Sequence, residues 1–121
     1  MDKNIEISLE LLINILDKKL DLMNEIYNIV INQKTMLQSD NDCFSMLKET
    51  GNMVKEKTLS INGLDSEFQS KYDQISSELS IHKDEYKGYI ILLKDKIKLC
   101  TELKLKIKLQ EEKNKALLER N

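Results

Sequence analysis

The 121-residue sequence has no proline, no tryptophan and only three glycines. Without proline, no position is barred from a helix interior. With so few glycines, the tight turns of a many-stranded sheet cannot be built. Aromatic residues make up 5% of the chain, so a core must come from leucine, isoleucine and methionine. Two cysteines, Cys43 and Cys100, are too few for a disulfide framework. Neither has a histidine or second cysteine at metal-ligand spacing, so both are expected to be reduced thiols used as small apolar side chains. The longest aliphatic runs, such as Ile90 to Leu93, are four residues long, far short of the roughly 18–20 needed to cross a bilayer. The segment Met1-Asp2-Lys3-Asn4 lacks the basic region and small-residue cleavage site of a signal peptide. The expectation is a cytoplasmic protein with no membrane insertion.

What the chain does have is 33% charged and 40% hydrophobic residues. That is the balance of long amphipathic helices, too apolar for disorder, and the length suits a single helical domain. Ile5, Leu9, Leu12, Leu16, Met23, Ile26, Val30 and Leu37 alternate three and four apart, with Lys19 and Gln33 in the two slots that would complete the series. Ile13, Leu20 and Tyr27 widen this stripe on one side and Leu22, Ile29 and Met36 on the other, so the first helix should touch more than one neighbour. Gln38-Ser39-Asp40-Asn41-Asp42 is rich in turn and capping residues and reads as a short loop, with Asn41 or Asp42 capping the next helix. A loop this short makes the neighbours antiparallel.

The second seam runs through Phe44, Leu47, Gly51, Val54, Thr58, Ile61, Leu64 or Asp65, Phe68, Tyr72, Ile75 and Leu79. Gly51 on this seam would permit close helix approach. Asn62-Gly63 is a break signal, yet the apolar spacing crosses it without a change of phase, which predicts a kink or loosened turn. The second loop is expected near Ser80, with Ser80 capping the third helix and Asp84 and Glu85 in its first turns. The expected fold is all-α, a long antiparallel three-helix bundle or coiled coil, up-down-up, with helices over about 5–37, 42–78 and 82–119.

No catalytic constellation is present. The one histidine, His82, has no ligand partners in sequence; the glycines stand alone, so no phosphate-cradling loop exists; and the serines lack an activating base. Asp40 and Asp42 look like the opening of a calcium loop, but the required glycine and terminal glutamate are out of register. The expectation is no enzyme, no cofactor and no metal. Charge is uneven. Residues 1–82 carry 8 lysines against 14 acidic residues, a balance of −6; residues 83–121 carry 11 basic residues against 7 acidic, a balance of +4. The lysines are ringed by leucines and do not interleave with aromatics, which argues against nucleic acid as a partner.

The third helix carries the unusual feature. Leu103 to Leu109 alternates like a strand, but no turn residue lies between Tyr89 and Glu112 to make a hairpin except Asp95, which sits among good helix formers. Read at about 100° per residue, the segment has two apolar stripes. One holds Tyr86, Tyr89, Leu93, Cys100, Leu103, Ile107, Leu117 and Leu118. The other, nearly opposite, holds Ile91, Leu105, Leu109 and Ala116, interrupted by Lys98. Packing against a single neighbour cannot cover both. Either this helix is central in the bundle, or the protein dimerises through it, or a partner's amphipathic helix lies along the second stripe.

The opening Leu9-Glu10-Leu11-Leu12-Ile13-Asn14-Ile15-Leu16, the mid-chain Ile61-Asn62-Gly63-Leu64-Asp65-Ser66-Glu67-Phe68-Gln69-Ser70-Lys71-Tyr72 and the late Glu112-Lys113-Asn114-Lys115-Ala116-Leu117-Leu118 together resemble the FlgN-type flagellar export chaperones. The middle stretch is similar to the family's Ile…Leu-Asp…Phe…Tyr pattern, and the last to its Asn-Lys-x-Leu-Leu ending. The resemblance spans most of the chain. It implies a cytosolic chaperone of flagellar type III export that holds the helical terminal segment of a hook-associated protein and prevents its premature assembly. The related chaperones of the filament cap protein are an alternative, as is a structural coiled coil that only self-associates. In the family the last helix helps bind the client, which implies partner-binding roles for Leu103, Leu105, Ile107, Leu109, Leu117 and Leu118. Ile91 and Ala116 join them as members of the second stripe.

Overall fold

A computed structural model describes residues 2–39 and 43–120. Three α-helices, and no strand among the described residues, make up the fold: α1 (Lys3–Gln38), α2 (Phe44–Ile81) and α3 (Lys87–Arg120). α1 starts at Asp2, whose carboxylate accepts from the Asn4 backbone N–H at 2.8 Å, an N-cap contact worth about 1 kcal/mol. Glu6 follows in the first turn, at the positive end of the helix dipole. The expected caps at Asn41 and Asp42 lie outside the described residues; Cys43 stands immediately before α2 and makes no side-chain capping bond.

Interhelical partners give the directions. Lys19, Glu25 and Gln33 of α1 meet Asp65, Lys57 and Thr50 of α2, so these helices are antiparallel. Glu6, Asp17 and Val30 of α1 meet Tyr89, Lys96 and Asn114 of α3, so these run parallel. The result is an up-down-up three-helix bundle.

The helix in the middle is α1. It packs against α2 and against α3, while α2 and α3 nowhere bring their Cα atoms within 8 Å of each other among the described residues. Nine α1 side chains are buried, from Ile5 to Leu37, against two on α2, Ile75 and Leu79. Ile13, Leu20 and Tyr27 pack onto the same core. The broad stripe of α1 therefore serves two neighbours. Lys19 and Gln33, polar in otherwise apolar slots, are occupied by interhelical partners: Lys19 Nζ lies 2.7 Å from Asp65, and Gln33 Nε2 donates to Thr50 Oγ1 at 2.9 Å.

Three expectations are corrected. The face of α2 that meets α1 carries Leu47, Thr50, Val54, Lys57, Ile61, Leu64 and Phe68, and leaves Phe44 and Tyr72 exposed. Thr50 and Lys57 take the inner side because Gln33 and Glu25 reach them. Gly51 permits no close approach: a Cβ placed there would meet nothing within 4 Å. Replacing it with alanine removes an entropic cost at no steric one, so Gly51→Ala should stabilise the fold by about 0.5–1 kcal/mol, measured by urea unfolding. Ser80 caps nothing. It lies inside α2, because Leu79 beside it is anchored in the core. The chain turns over residues 82–86, where the N–H groups of Glu85 and Tyr86 donate to the His82 carbonyl, so Asp84 and Glu85 precede α3 rather than opening it. Helix α2 is continuous through Asn62-Gly63, with no positive φ at any described residue.

Candidate partner-binding surface

α3 docks on α1 through one heptad line that begins at Tyr86, just before the helix, and continues through Leu93, Cys100, Ile107 and Asn114, flanked by Leu103, Gln110 and Leu117. Tyr86 is 2% exposed, and its hydroxyl accepts from the Asp2 N–H at 3.3 Å, tying the turn to the start of α1. Tyr89 donates to Glu6 at 3.1 Å, with Glu10 at 3.5 Å. Desolvation of the phenol, then the hydrogen bond and the charge of Glu6, push its pKa above the ordinary tyrosine value. It therefore stays a neutral donor throughout the physiological range. Burial likewise raises the Cys100 thiol, against the opposing charges of Lys19 and Lys96, and a thiol so placed is a poor nucleophile. Both cysteines are free, Cys43 half-buried and Cys100 buried.

At the far end of this interface the docking becomes polar. Asn114 Nδ2 donates to the Val30 carbonyl at 2.8 Å, and Gln110 Nε2 donates to Asn114 Oδ1 at 2.9 Å. Both amides are buried. Among the described residues no buried side-chain nitrogen or oxygen is left without a partner. A satisfied buried amide at a heptad core position fixes register more than it adds stability, so this pair sets how far α3 slides along α1.

The eight residues singled out on α3 divide between two faces. Ile107 is buried in the core, Leu103 packs against the same core and Leu117 is half-buried. These three belong to the seam with α1. Ile91, Leu105, Leu109 and Ala116 face outward; Leu105 and Leu109 are each 57% exposed and Ile91 49%. Leu118, expected on the first stripe, is instead 54% exposed near the end of α3. The second stripe is thus on the surface of the folded chain. Leu92, Ile97 and Leu99 are exposed as well, so six of the fourteen exposed positions from Ile91 to Leu109 are apolar.

A second apolar feature depends on how α2 and α3 are held apart. Between them, at the end where the turn of residues 82–86 lies, runs an open groove of about 770 Å³. Phe68, Tyr72 and Leu79 form one wall, and Ile90, Leu93 and Ile97 the other. Phe68 and Tyr72 stack with centroids 6.3 Å apart and planes 5° from parallel, which stiffens the α2 wall. Lys83, Lys87 and Lys94 line the groove with a single carboxylate, Asp84. Sequence reasoning assigned Phe68 and Tyr72 to the bundle seam and had no signal for this groove, because it exists only when α2 and α3 fail to meet.

His82 sits at the end of α2, 3.7 Å from Glu78 and 3.7 Å from Glu85. No cluster of three or more histidine, cysteine or acidic side chains able to hold a metal occurs among the described residues, and none of the described helices is long and apolar enough to cross a membrane. The chain matches no family model, and neither a curated protein nor a solved structure is significantly similar to it.

Proposed function

We propose that this protein is a helix-binding chaperone of the FlgN type, holding an amphipathic terminal segment of a flagellar hook-associated protein in the cytosol before type III export. The observation that carries the reading is the exposure of Ile91, Leu105 and Leu109 on the side of α3 turned away from α1. Solvent-facing leucines spaced for one side of a helix are costly to keep wet and match a helical guest. Burying three or four such side chains gives several kcal/mol before ordering costs. The lysines around them, Lys98, Lys104, Lys106 and Lys108, keep such a surface soluble when empty and favour a guest with acidic flanks. No chemistry is required of the site, and the reading assigns none.

The test is the double substitution Leu105→Asp/Leu109→Asp. Both positions are exposed, so helicity and melting should be unchanged, while binding to terminal helical segments of hook-associated proteins from the same genome should fall at least about a hundredfold. Unchanged binding overturns the proposal. So does a wild-type protein that proves by light scattering to be a tight oligomer with this stripe at its interface, the behaviour of a purely structural coiled coil.

A further inference from the structure

We infer that the groove between α2 and α3 is a second, separate docking site, and that its occupant is a short amphipathic helix with an acidic flank. The site is independent of the stripe at Leu105 and Leu109: only Ile91 borders both.

Its dimensions suit a helix. The lining runs from Phe68 to Leu79 on α2 and from Lys87 to Ile97 on α3, which at 1.5 Å per residue is about 15 Å, or three turns. Its walls are apolar at helical spacing, Phe68, Tyr72 and Leu79 on one side and Ile90, Leu93 and Ile97 on the other. A helix laid between them would bury apolar residues at i, i+3, i+4 and i+7 and would complete a four-helix arrangement at this end, with α1 opposite the newcomer.

Charge selects among helices. Lys83, Lys87 and Lys94 are all exposed, and none makes an ion pair among the described residues. The other lysines that face a neighbouring helix, Lys19, Lys57 and Lys96, each hold a carboxylate. The groove's three cations answer one acid, Asp84, while Gln69 and Ser80 on the α2 side are neutral. Glutamate or aspartate on the flank of the guest that faces α3 would pair with Lys87 and Lys94, which lie on the same side of α3, seven residues apart. A basic or neutral helix of the same apolar pattern would leave them unanswered. The exposed apolar stripe that a second copy could offer, Ile91, Leu105 and Leu109 of α3, is flanked by Lys98, Lys104, Lys106 and Lys108, which the groove's lysines would repel.

Two designed peptides of about 14 residues decide the matter. They share a leucine pattern at i, i+3, i+4 and i+7 and differ only in flanks of glutamate or of lysine. With the full chain, the glutamate peptide should bind, shift the NMR signals of Phe68, Tyr72, Ile90 and Ile97, and weaken as salt rises. The lysine peptide should bind at least about tenfold more weakly. Lys87→Glu/Lys94→Glu should reverse the preference without altering melting, since both side chains are exposed. Leu105→Asp/Leu109→Asp should leave glutamate-peptide binding unchanged, so loss of the outer stripe and loss of the groove read out separately. Equal binding of the two peptides, binding that survives the lysine reversal with its preference intact, or shifts confined to Leu105 and Leu109 would each overturn the assignment. So would self-association that fills the groove in the free protein.

Discussion

Leu12→Ala will cost about 2–5 kcal/mol of unfolding free energy, while Leu105→Ala, the same substitution on the outer side of α3, will cost under about 0.5 kcal/mol. Leu12 has no exposed surface and Leu105 is 57% exposed. The contrast follows from the position of α1. A helix with one neighbour can relax when a side chain is cut back, because its other faces are free to shift. α1 is held by α2 and α3 at once, so a cavity at Leu12 is walled from both sides and cannot close. Leu9, also without exposed surface, should behave alike. Against a total stability of about 5–15 kcal/mol for a domain of this kind, the loss is a large share of what holds the fold. Urea denaturation with unchanged m-value is the measurement. A cost below about 1 kcal/mol at Leu12 would mean that α1 is not the shared core element and that the helices pack in another order.

That α1 has more than one neighbour was legible in the three-and-four spacing from Ile5 to Leu37 and in the side stripes of Ile13, Leu20 and Tyr27; that α1 and not α3 is the middle helix was not, and it excludes a central α3 as the reason for the second stripe. The helical state of residues 87–120 was legible too, because no turn chemistry interrupts Leu103 to Leu109. What local pattern could not decide is which flank of α2 turns inward. Leu64 and Asp65, or Thr50 and Gly51, are adjacent choices with similar apolar neighbours. The decision comes from partners 17 to 46 residues away, where Gln33 meets Thr50 and Lys19 meets Asp65. The buried amides were overlooked for a different reason. Gln110 and Asn114 are polar and look solvated, although Cys100, Leu103, Ile107, Gln110, Asn114 and Leu117 alternate three and four without a break. Position, not residue type, was the available signal. The outer stripe of α3 could be read from spacing alone, whereas the groove beside it depends on two helices not touching, which no single segment encodes.

The same asymmetry predicts where the bundle opens. Amides in the first half of α2, about residues 47–62, should exchange with solvent at least about a hundredfold faster than those in the middle of α1, and by openings that leave α1 and α3 together. The full burial on α2 is confined to Ile75 and Leu79, next to the turn. Upstream, Leu47, Val54, Ile61 and Leu64 are only half-buried, so each forgoes a good part of the roughly 1.5–3 kcal/mol that full burial gives. Gly51 and Gly63 weaken the helix itself by about 1 kcal/mol each relative to alanine. The polar ties across this stretch do not compensate: Lys57 to Glu25 is a surface pair, with more than half of the Glu25 side chain exposed, and such pairs contribute about 0.2–1 kcal/mol. A difference of about 3 kcal/mol in opening free energy corresponds to the hundredfold ratio. Hydrogen exchange followed by NMR resolves it residue by residue, and uniform protection along α1 and α2 would contradict it. The gradient bears on binding, because the wall of the groove formed by Phe68 and Tyr72 lies between the loosely held half of α2 and its anchored end. A guest helix seated there would pin α2 just downstream of the half that opens, so occupancy should slow exchange upstream of Phe68 while leaving α1 unchanged.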